Sequence, residues 1–289
     1  MKFTKATRND SYIKLAITGP SGSGKSYSSL KLARGLVGPE GKIAVIDTEN
    51  GSARLYSDLT GFDHCDLSSH KYTEFIEAVK AAEQAGYDAV IIDSLSHLWQ
   101  GILDEKAAID RKGGNSYANW SEPTRHLNEA IQAILQTKIH VIACMRSKTE
   151  YIVQEETNAK GRTISVPKKV GTAPVMRENI EYEFSTVLEI GMDHNATPSK
   201  DRTGLFVDKT FRIDEGTGEK IAGWLSGVAA TNQEPANYGT ETDFLAEIHH
   251  ADSRDTLAKI GLRIKESPLP ESAKAAIRTV YKEKYNSVA

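Results

Sequence analysis

An apolar run followed at once by a glycine-rich loop restricts the fold of this chain more than any other feature. The run is IKLAIT at 13–18, and the loop reads Gly-Pro-Ser-Gly-Ser-Gly-Lys-Ser at 19–26, before a helix-compatible segment. Glycines let backbone N–H groups turn inward around phosphates, and a following helix adds its positive N-terminal end. The spacing Gly-x4-Gly-Lys-Ser in this setting predicts a phosphate-binding loop of the Walker A type, which we expect to bind ATP.

The residues of this loop have distinct predicted roles. Lys25 is expected to neutralise the β and γ phosphates, and the hydroxyl of Ser26 to bind Mg²⁺. A guanine-reading Asn-Lys-x-Asp sequence does not occur in the chain, which argues against a GTPase. The predicted nucleotide contacts from the loop are Gly19, Pro20, Ser21, Gly22, Ser23, Gly24, Lys25 and Ser26.

Short apolar runs alternate with amphipathic stretches through the first two thirds of the chain. Continuous apolar strands separated by helices are typical of a mainly parallel, doubly wound α/β sheet. After the first run, the predicted strands are 42–47, 88–93, 139–144, 185–192 and 204–209, and the clearest predicted helices are 72–86 and 122–136. The sequence therefore predicts a P-loop nucleotide-binding core of α/β class.

The length and the late composition predict a second, smaller part. At 289 residues the chain exceeds the usual size of one domain, and the sequence GVAATNQEPANYGT at 227–240 loses periodicity and gathers Asn, Gly and Pro. We predict a core at 1–226, a linker at 227–240 and a helical module of three short helices at 241–289.

Several classes of protein are disfavoured by composition. The two cysteines, Cys65 and Cys144, lack the spacing of a zinc site or a disulfide framework. No apolar run is long enough for a membrane span, and the start MKFTKATRND lacks a signal-peptide core, so we expect no membrane association and a cytoplasmic location. The net charge of −3 excludes a globally basic nucleic-acid binder but leaves local basic patches open.

Two strand ends carry acidic residues suited to phosphoryl chemistry. The run DAVIID ends in Asp93, which is expected to hold the magnesium ion, as hydrolytic P-loop enzymes require. Ser94 follows, where many ring-forming motors place a glutamate, so the residue that orients the attacking water must come from elsewhere. Glu49, in IDTEN at the tip of the preceding apolar strand, is the best candidate, and a solvated loop acid is the alternative.

The order GPSGSGKS, IDTEN, AVIIDS, CMRSKTEY, KVGTAP and SKDR, from about 13 to 224, resembles the RecA-like P-loop ATPases of tailed phages, a family tied to recombination and single-strand annealing. The resemblance implies that Glu49 is the catalytic base and that Tyr56 stacks on adenine, with simple packing of Tyr56 as the alternative. It places Arg146 where RecA has a glutamine that senses the γ-phosphate, a departure that leaves a plain surface arginine as the competing interpretation.

The same resemblance implies assembly and DNA binding. Lys200 and Arg202 correspond to basic residues that reach the ATP of a neighbouring subunit, so head-to-tail homo-oligomers, as rings or filaments, are expected; an exposed turn is the alternative. A basic, loop-like stretch falls where RecA grips DNA, although a solvated charge run or a β-hairpin flap would also fit. Its cations are Lys160, Arg162, Lys168, Lys169 and Arg177.

A second candidate DNA contact is the segment DRKGGNSYANW at 110–120, in which Tyr117 and Trp120 could stack on bases. Closure of these aromatic side chains over the core is the alternative. The C-terminal module is interpreted as a surface for a single-strand-binding or other recombination protein, with a plain helical cap as the alternative.

The leading hypothesis is therefore a Mg²⁺-dependent ATPase that acts on single-stranded DNA. A hexameric helicase or translocase on the same core is the nearest alternative. A small-molecule kinase is disfavoured because it does not need a water-positioning residue such as Glu49. An ATP-gated adaptor with slow turnover and no DNA binding remains open.

Overall fold

The computed structural model describes residues 6–9, 11–157, 163–227, 241–251, 253–254, 256–257, 260–261, 264 and 271–287, with side chains at 149–172 and at some positions after 240 left out. The chain forms two compact units, Met1–Ala229 and Ala230–Ala289. None of the helices in these ranges combines the length and apolar character that a membrane crossing needs.

An eight-stranded sheet forms the centre of the first unit. Its strands lie in the order β3-β2-β4-β5-β1-β7-β8, with β6 paired to β5. All neighbours on the main path are parallel except β7 and β8, which are antiparallel. The strands are β1 (Lys14–Gly19), β2 (Ile43–Asp47), β3 (Asp63–Asp66), β4 (Ala89–Asp93), β5 (His140–Thr157), β6 (Thr163–Pro174), β7 (Thr186–Ile190) and β8 (Ala196–Asp201).

Helices cover both faces of this sheet. They are α1 (Lys25–Val37), α2 (Tyr72–Gln84), α3 (Ser96–Arg111), α4 (Ser121–Gln136) and α5 (Glu215–Leu225). Side chains alternate between faces along each strand, so Ile92 joins the cluster with α2, α3 and α4, whereas Ile91 joins the cluster with α1 and α5. The predicted doubly wound α/β core is confirmed, and the carboxyl ends of the parallel strands form one edge at which loops gather.

Helices α1 and α5 pack closely because glycines lie where they meet. A Cβ added at Gly35 would fall 1.8 Å from the carbonyl oxygen of Glu215, and one at Gly218 would fall 2.1 Å from that of Leu32. The capping box of α5, in which the Asp214 carboxylate accepts the N–H of Thr217, fixes where that helix begins.

The predicted strand at 204–209 is wrong, because the second strand of this hairpin is β8, which ends at Asp201. The Asp201 carboxylate accepts the backbone N–H of Thr203 at 2.8 Å and that of Phe206 at 2.8 Å. Gly204 has φ +72°. These bonds turn the backbone around Asp201 and prevent an extended segment, although Phe206 is apolar and buried.

The basic stretch predicted as a loop is instead largely a strand. Residues 163–174 form β6, which pairs antiparallel with the extension of β5 from Ser147↔Pro174 to Thr157↔Thr163. β-branched residues at alternating positions favour this pairing. The register shifts between Glu150 and Tyr151, where β6 has one extra residue, Val170. The two paired strands form a β-hairpin, as the alternative interpretation has it; Lys160 and Arg162 lie outside the described residues.

The second unit has its own apolar core. Helix α6 (Glu241–His250) and helix α7 (Glu271–Ser287) are its two fully bounded helices. Phe244, Ile248 and Ile277 are fully buried, together with Leu257 from the partly described stretch between the helices. The predicted linker at 227–240 falls almost entirely outside the described residues, which resume at 241.

Candidate functional site

The loop between β1 and α1 curls around a space that its glycines keep open. Gly22 and Gly24 have φ of +82° and +92°, in the left-handed region that favours glycine. A Cβ at Gly19 would fall 2.5 Å from the Ser23 hydroxyl oxygen and 2.7 Å from the carbonyl oxygen of Ile190. The Ser23 hydroxyl is buried and has no hydrogen-bond partner. The loop is therefore built on backbone groups, as an anion cradle requires.

Lys25 lies folded over this loop. Its amine donates to the carbonyl oxygens of Gly19 at 2.9 Å and Pro20 at 2.8 Å. The residue is 9% exposed, and burial lowers the pKa of its amine. These carbonyl oxygens are neutral acceptors. A phosphate group that enters the loop would give the ammonium group a charged partner.

Ser26 and Asp93 meet beside the loop, where the ends of β1 and β4 converge. The Ser26 hydroxyl donates to a carboxylate oxygen of Asp93. Asp93 is 3% exposed, and burial raises the pKa of its carboxyl while the bond from Ser26 opposes that rise. A hydroxyl and a carboxylate are hard oxygen ligands of the kind Mg²⁺ prefers, so this pair fits the expected ion.

Glu49 and Arg146 form an ion pair at the mouth of the same space. The Arg146 Nε lies 2.9 Å from Oε1 of Glu49, and Nη2 lies 2.6 Å from Oε2. This hydrogen bonding raises the pKa of Arg146 further above its high ordinary value. Glu49 follows β2, and Arg146 ends the part of β5 that pairs with β1. The order of the strands in the sheet therefore brings together two residues that are distant in sequence.

These groups line one cavity of about 460 Å³, with Tyr56 on its wall. The Tyr56 ring meets Tyr27 edge to face at 6.3 Å between centroids. All the predicted loop residues from Ser21 to Ser26, with Glu49, Tyr56, Asp93 and Arg146, line it. Sequence reasoning missed the remaining lining residues, which are Tyr27, Ser28, Ser52, His194, Arg212 and Ile213.

His194 is the clearest of the missed residues. It lies in the turn between β7 and β8 with φ +63°, and its Nδ1 is 3.0 Å from the carbonyl oxygen of Ser23. The turn reaches the loop because β7 pairs with β1, a fact that no local sequence signal carries. Tyr27 and Ser28, which directly follow Ser26, were the members that proximity to the motif could have revealed.

Lys200 and Arg202 lie away from this cavity. In the hairpin register Lys200 is opposite Val187, which in turn pairs with Ala16, well before the loop begins. The Lys200 amine donates to the carbonyl oxygens of Glu181 at 3.2 Å and Tyr182 at 2.6 Å. Within one chain the two cations therefore do not reach the phosphate site, and the predicted role toward a neighbour concerns a second copy.

The candidate DNA contacts fall in separate places. Tyr117 is 91% exposed, whereas Trp120 packs against the core beside Trp99, with ring centroids 5.9 Å apart. Lys168 and Lys169 lie in β6, opposite Ile152 and Tyr151. Arg177 follows the hairpin and is exposed.

Two other acid and histidine clusters, among the described residues, come close enough to suggest metal ligands. In the group Asp47, His64 and Asp66, backbone N–H groups and Arg54 already bond to the two carboxylates and to Nδ1 of His64, whereas Nε2 of His64 is buried without a hydrogen-bond partner in the described part of the chain. In the group Glu105, Glu122 and His126, the guanidinium of Arg125 lies 3.0 Å from His126. In the second cluster Nδ1 of His126 also lies 2.8 Å from the carboxylate of Glu105.

The doubly wound fold, the glycine-rich loop and the hydrogen bond from Ser26 to the buried Asp93 define a P-loop nucleotide-binding protein. Residues 11–238 match the family described as AAA domain, so the chain belongs to that family. The class is that of nucleotide-binding and nucleotide-hydrolysing P-loop ATPases. A comparison with curated proteins finds no match.

Proposed function

We propose that the protein is an ATPase that acts on single-stranded DNA in phage-type recombination or annealing, and that it assembles head to tail with ATP between subunits. The observation that carries the proposal is the position of Arg146, which contacts Glu49 on the cavity side and directly precedes the β5–β6 hairpin extension at Ser147. A change at the phosphate site thus has a direct route to the hairpin, whose strand β6 carries Lys168 and Lys169 and no acidic residue.

The chemistry follows from the groups around the cavity. Loop N–H groups and Lys25 bind the phosphates, and Ser26 with Asp93 would hold Mg²⁺, which supplies charge neutralisation on the transferring phosphoryl group. Glu49 orients the attacking water. Because Asp93 is followed by Ser94, the carboxylate that lines the cavity after β2 is the one suited to that role.

Arg146 contributes the sensing step. Its guanidinium donates two hydrogen bonds to the Glu49 carboxylate. A γ-phosphate offers it a stronger acceptor, since phosphate binds guanidinium bidentately. When the Arg146 side chain binds the phosphate instead of Glu49, the Glu49 carboxylate becomes available to bind water. The same movement shifts the backbone at Ser147, where the hairpin begins.

The hairpin and the second copy complete the proposal. Lys168 and Lys169 on β6 supply phosphate-backbone contacts, as do Lys160, Arg162 and Arg177, and Tyr117 supplies an exposed stacking surface. Lys200 and Arg202 of one subunit would reach the ATP of the next. The C-terminal unit is proposed to bind a single-strand-binding or other recombination protein.

The test is ATP hydrolysis and light scattering with and without single-stranded DNA, for the wild type and for Lys168→Ala/Lys169→Ala. We expect DNA to stimulate turnover and assembly of the wild type. In DNA titrations at several salt concentrations, the slope of log affinity against log salt should be less steep for the variant by about 1.4, for two lost contacts. Lys80→Ala/Lys220→Ala, at exposed sites on α2 and α5, is the matched control.

Other outcomes favour other functions. Directional unwinding by stable rings would favour a helicase or translocase. If DNA changes neither the rate of ATP hydrolysis nor the assembly, the proposal is overturned and an ATP-gated adaptor is favoured. If ADP forms only when a phosphoryl acceptor is present, a kinase is favoured instead.

A further inference from the structure

Asp47, the last residue of β2, holds the loop that carries Glu49. Its side chain is fully buried, and Oδ1 accepts the backbone N–H of Glu49 at 2.6 Å and that of Gly51 at 3.3 Å. Oδ2 accepts the N–H of Ala53 at 2.9 Å. The first of these bonds fixes the backbone point from which the Glu49 side chain extends into the cavity.

The far end of the same loop is tied back to β3. Arg54 donates to the carboxylate of Asp66 and, from Nε, to Nδ1 of His64 at 3.3 Å. His64 Nε2 in turn lies 3.5 Å from Asp47 Oδ2 and 3.2 Å from Asp66 Oδ1. The loop is therefore held at two points, near its start by the buried carboxylate of Asp47 and at Arg54 by Asp66 and His64.

The backbone of this loop needs such support. Asn50 and Gly51 have φ of +58° and +77°, a left-handed pair that an unsupported chain rarely adopts. Three N–H bonds to one buried carboxylate offset that cost and satisfy donors that face away from solvent. Asp47 itself does not line the ATP cavity.

We infer that Asp47 is a positioning residue for ATP hydrolysis, which acts by setting the backbone from which Glu49 reaches the attacking water. The inference rests on the proposed role of Glu49. It assigns to Asp47 an effect on the rate of the chemical step and little effect on ATP affinity, because the phosphate loop is built on β1 and α1 instead.

The first test is Asp47→Asn. An amide keeps the size of the side chain but has an NH₂ group in place of one carboxylate oxygen, so at least one of the three loop N–H groups loses its acceptor and the position of Glu49 is less firmly fixed. We expect kcat to fall at least about tenfold, with the ATP dissociation constant changed less than about threefold. Asp63→Asn, on β3, is the matched control, since that carboxylate accepts the Tyr87 hydroxyl at 2.7 Å and is not bonded to the loop.

A double-mutant cycle separates positioning from general damage. In the Glu49→Gln background, Asp47→Asn is expected to lower the residual kcat by less than about twofold, because the group that it positions is already gone. A further loss as large as in the wild-type background would overturn the inference. The inference would also be overturned if Asp47→Asn kept the wild-type kcat while Glu49→Gln lost its ATPase activity.

If Glu49→Gln itself keeps wild-type turnover, the proposed role of Glu49 fails, and the inference with it. Should Asp47→Asn not fold, Arg54→Ala replaces it, since Arg54 has a side chain 63% exposed and lies outside the core. We expect at least about threefold lower kcat at unchanged ATP affinity. Unchanged kcat in Arg54→Ala would then overturn the inference.

Discussion

Arg146 and Glu49 are joined by two hydrogen bonds although 97 residues separate them in sequence. Their side chains are 44% and 27% exposed, so solvent screens the pair and an incoming phosphate can displace one partner. Under the proposed function, Arg146 occupies the Glu49 carboxylate until the γ-phosphate binds the arginine instead.

Replacing Arg146 tests whether it stabilises the transferring phosphoryl group. For Arg146→Ala we expect kcat to fall by about 100-fold, because one preorganised donor to the developing charge is lost. The ATP dissociation constant should change far less. Steady-state kinetics with calorimetric ATP titration measures both. Arg125→Ala, which removes an exposed arginine on α4, should behave as the wild type; equal kcat in the two variants would contradict the assignment.

Lys25 is expected to determine nucleotide affinity. Lys25→Ala removes the ammonium group that now rests on the carbonyl oxygens of Gly19 and Pro20, and should weaken ATP binding by about 100-fold. Lys31→Ala on the same helix only breaks an ion pair with Glu215 and should leave affinity unchanged. ATP titration of both variants decides, and similar affinities would argue against binding at this loop.

The contact between α1 and α5 makes a prediction about stability. A methyl group at Gly218 would fall 2.1 Å from the Leu32 carbonyl oxygen, so Gly218→Ala should lower the free energy of unfolding by about 1–3 kcal/mol. Gly223→Ala, in the same helix with nothing within 4 Å of the new methyl, should raise it by about 0.5–1 kcal/mol. Urea unfolding measures both free energies. If Gly218→Ala were more stable than Gly223→Ala, the close contact between α1 and α5 would be refuted.

His140 is expected to make the core unit sensitive to acid. Burial, with the charge of Lys14 as a smaller cause, lowers the pKa of His140 to about 4, from an ordinary value of 6.5. Its Nδ1 accepts the N–H of Ile13 at 3.1 Å. Between these pH values the unfolded chain binds a proton that the folded chain does not, so stability is present above pH 6.5 and is lost toward pH 4, by about 3 kcal/mol at most.

His140→Asn keeps an acceptor for Ile13 but cannot titrate in this range. Urea unfolding at pH 7, 5.5 and 4 should therefore give a smaller loss of stability for the variant than for the wild type. Equal losses in both proteins would show that His140 does not cause the pH dependence.

The sequence was sufficient for those parts of the fold that depend on local pattern. Apolar runs predicted the parallel strands, and the spacing of Gly19, Gly24 and Lys25 predicted the phosphate loop. The runs could not reveal that β7 lies beside β1, so His194 was missed. The strand predicted at 204–209 failed because the side chain of Asp201 competes for the backbone N–H groups of that segment.

The candidate site was predictable where function sits at strand ends. Glu49, Asp93 and Arg146 each end or follow an apolar strand, and parallel strands bring such ends to one edge. Lys200 illustrates the limit: its spacing to Arg202 indicates two cations on one face, but only the hairpin register places them away from the loop of their own chain. The contacts of Asp47 with the loop that carries Glu49 likewise depend on the folded backbone, and no sequence pattern predicted them.

The most direct test of the account is ATP hydrolysis by Glu49→Gln, measured in a single turnover after ATP binding has been verified by titration. The account predicts that ATP binds with an affinity within about threefold of the wild type and that hydrolysis slows by at least about 100-fold, with or without single-stranded DNA. Hydrolysis at the wild-type rate by a variant that binds ATP normally would contradict the central claim that Glu49 orients the attacking water.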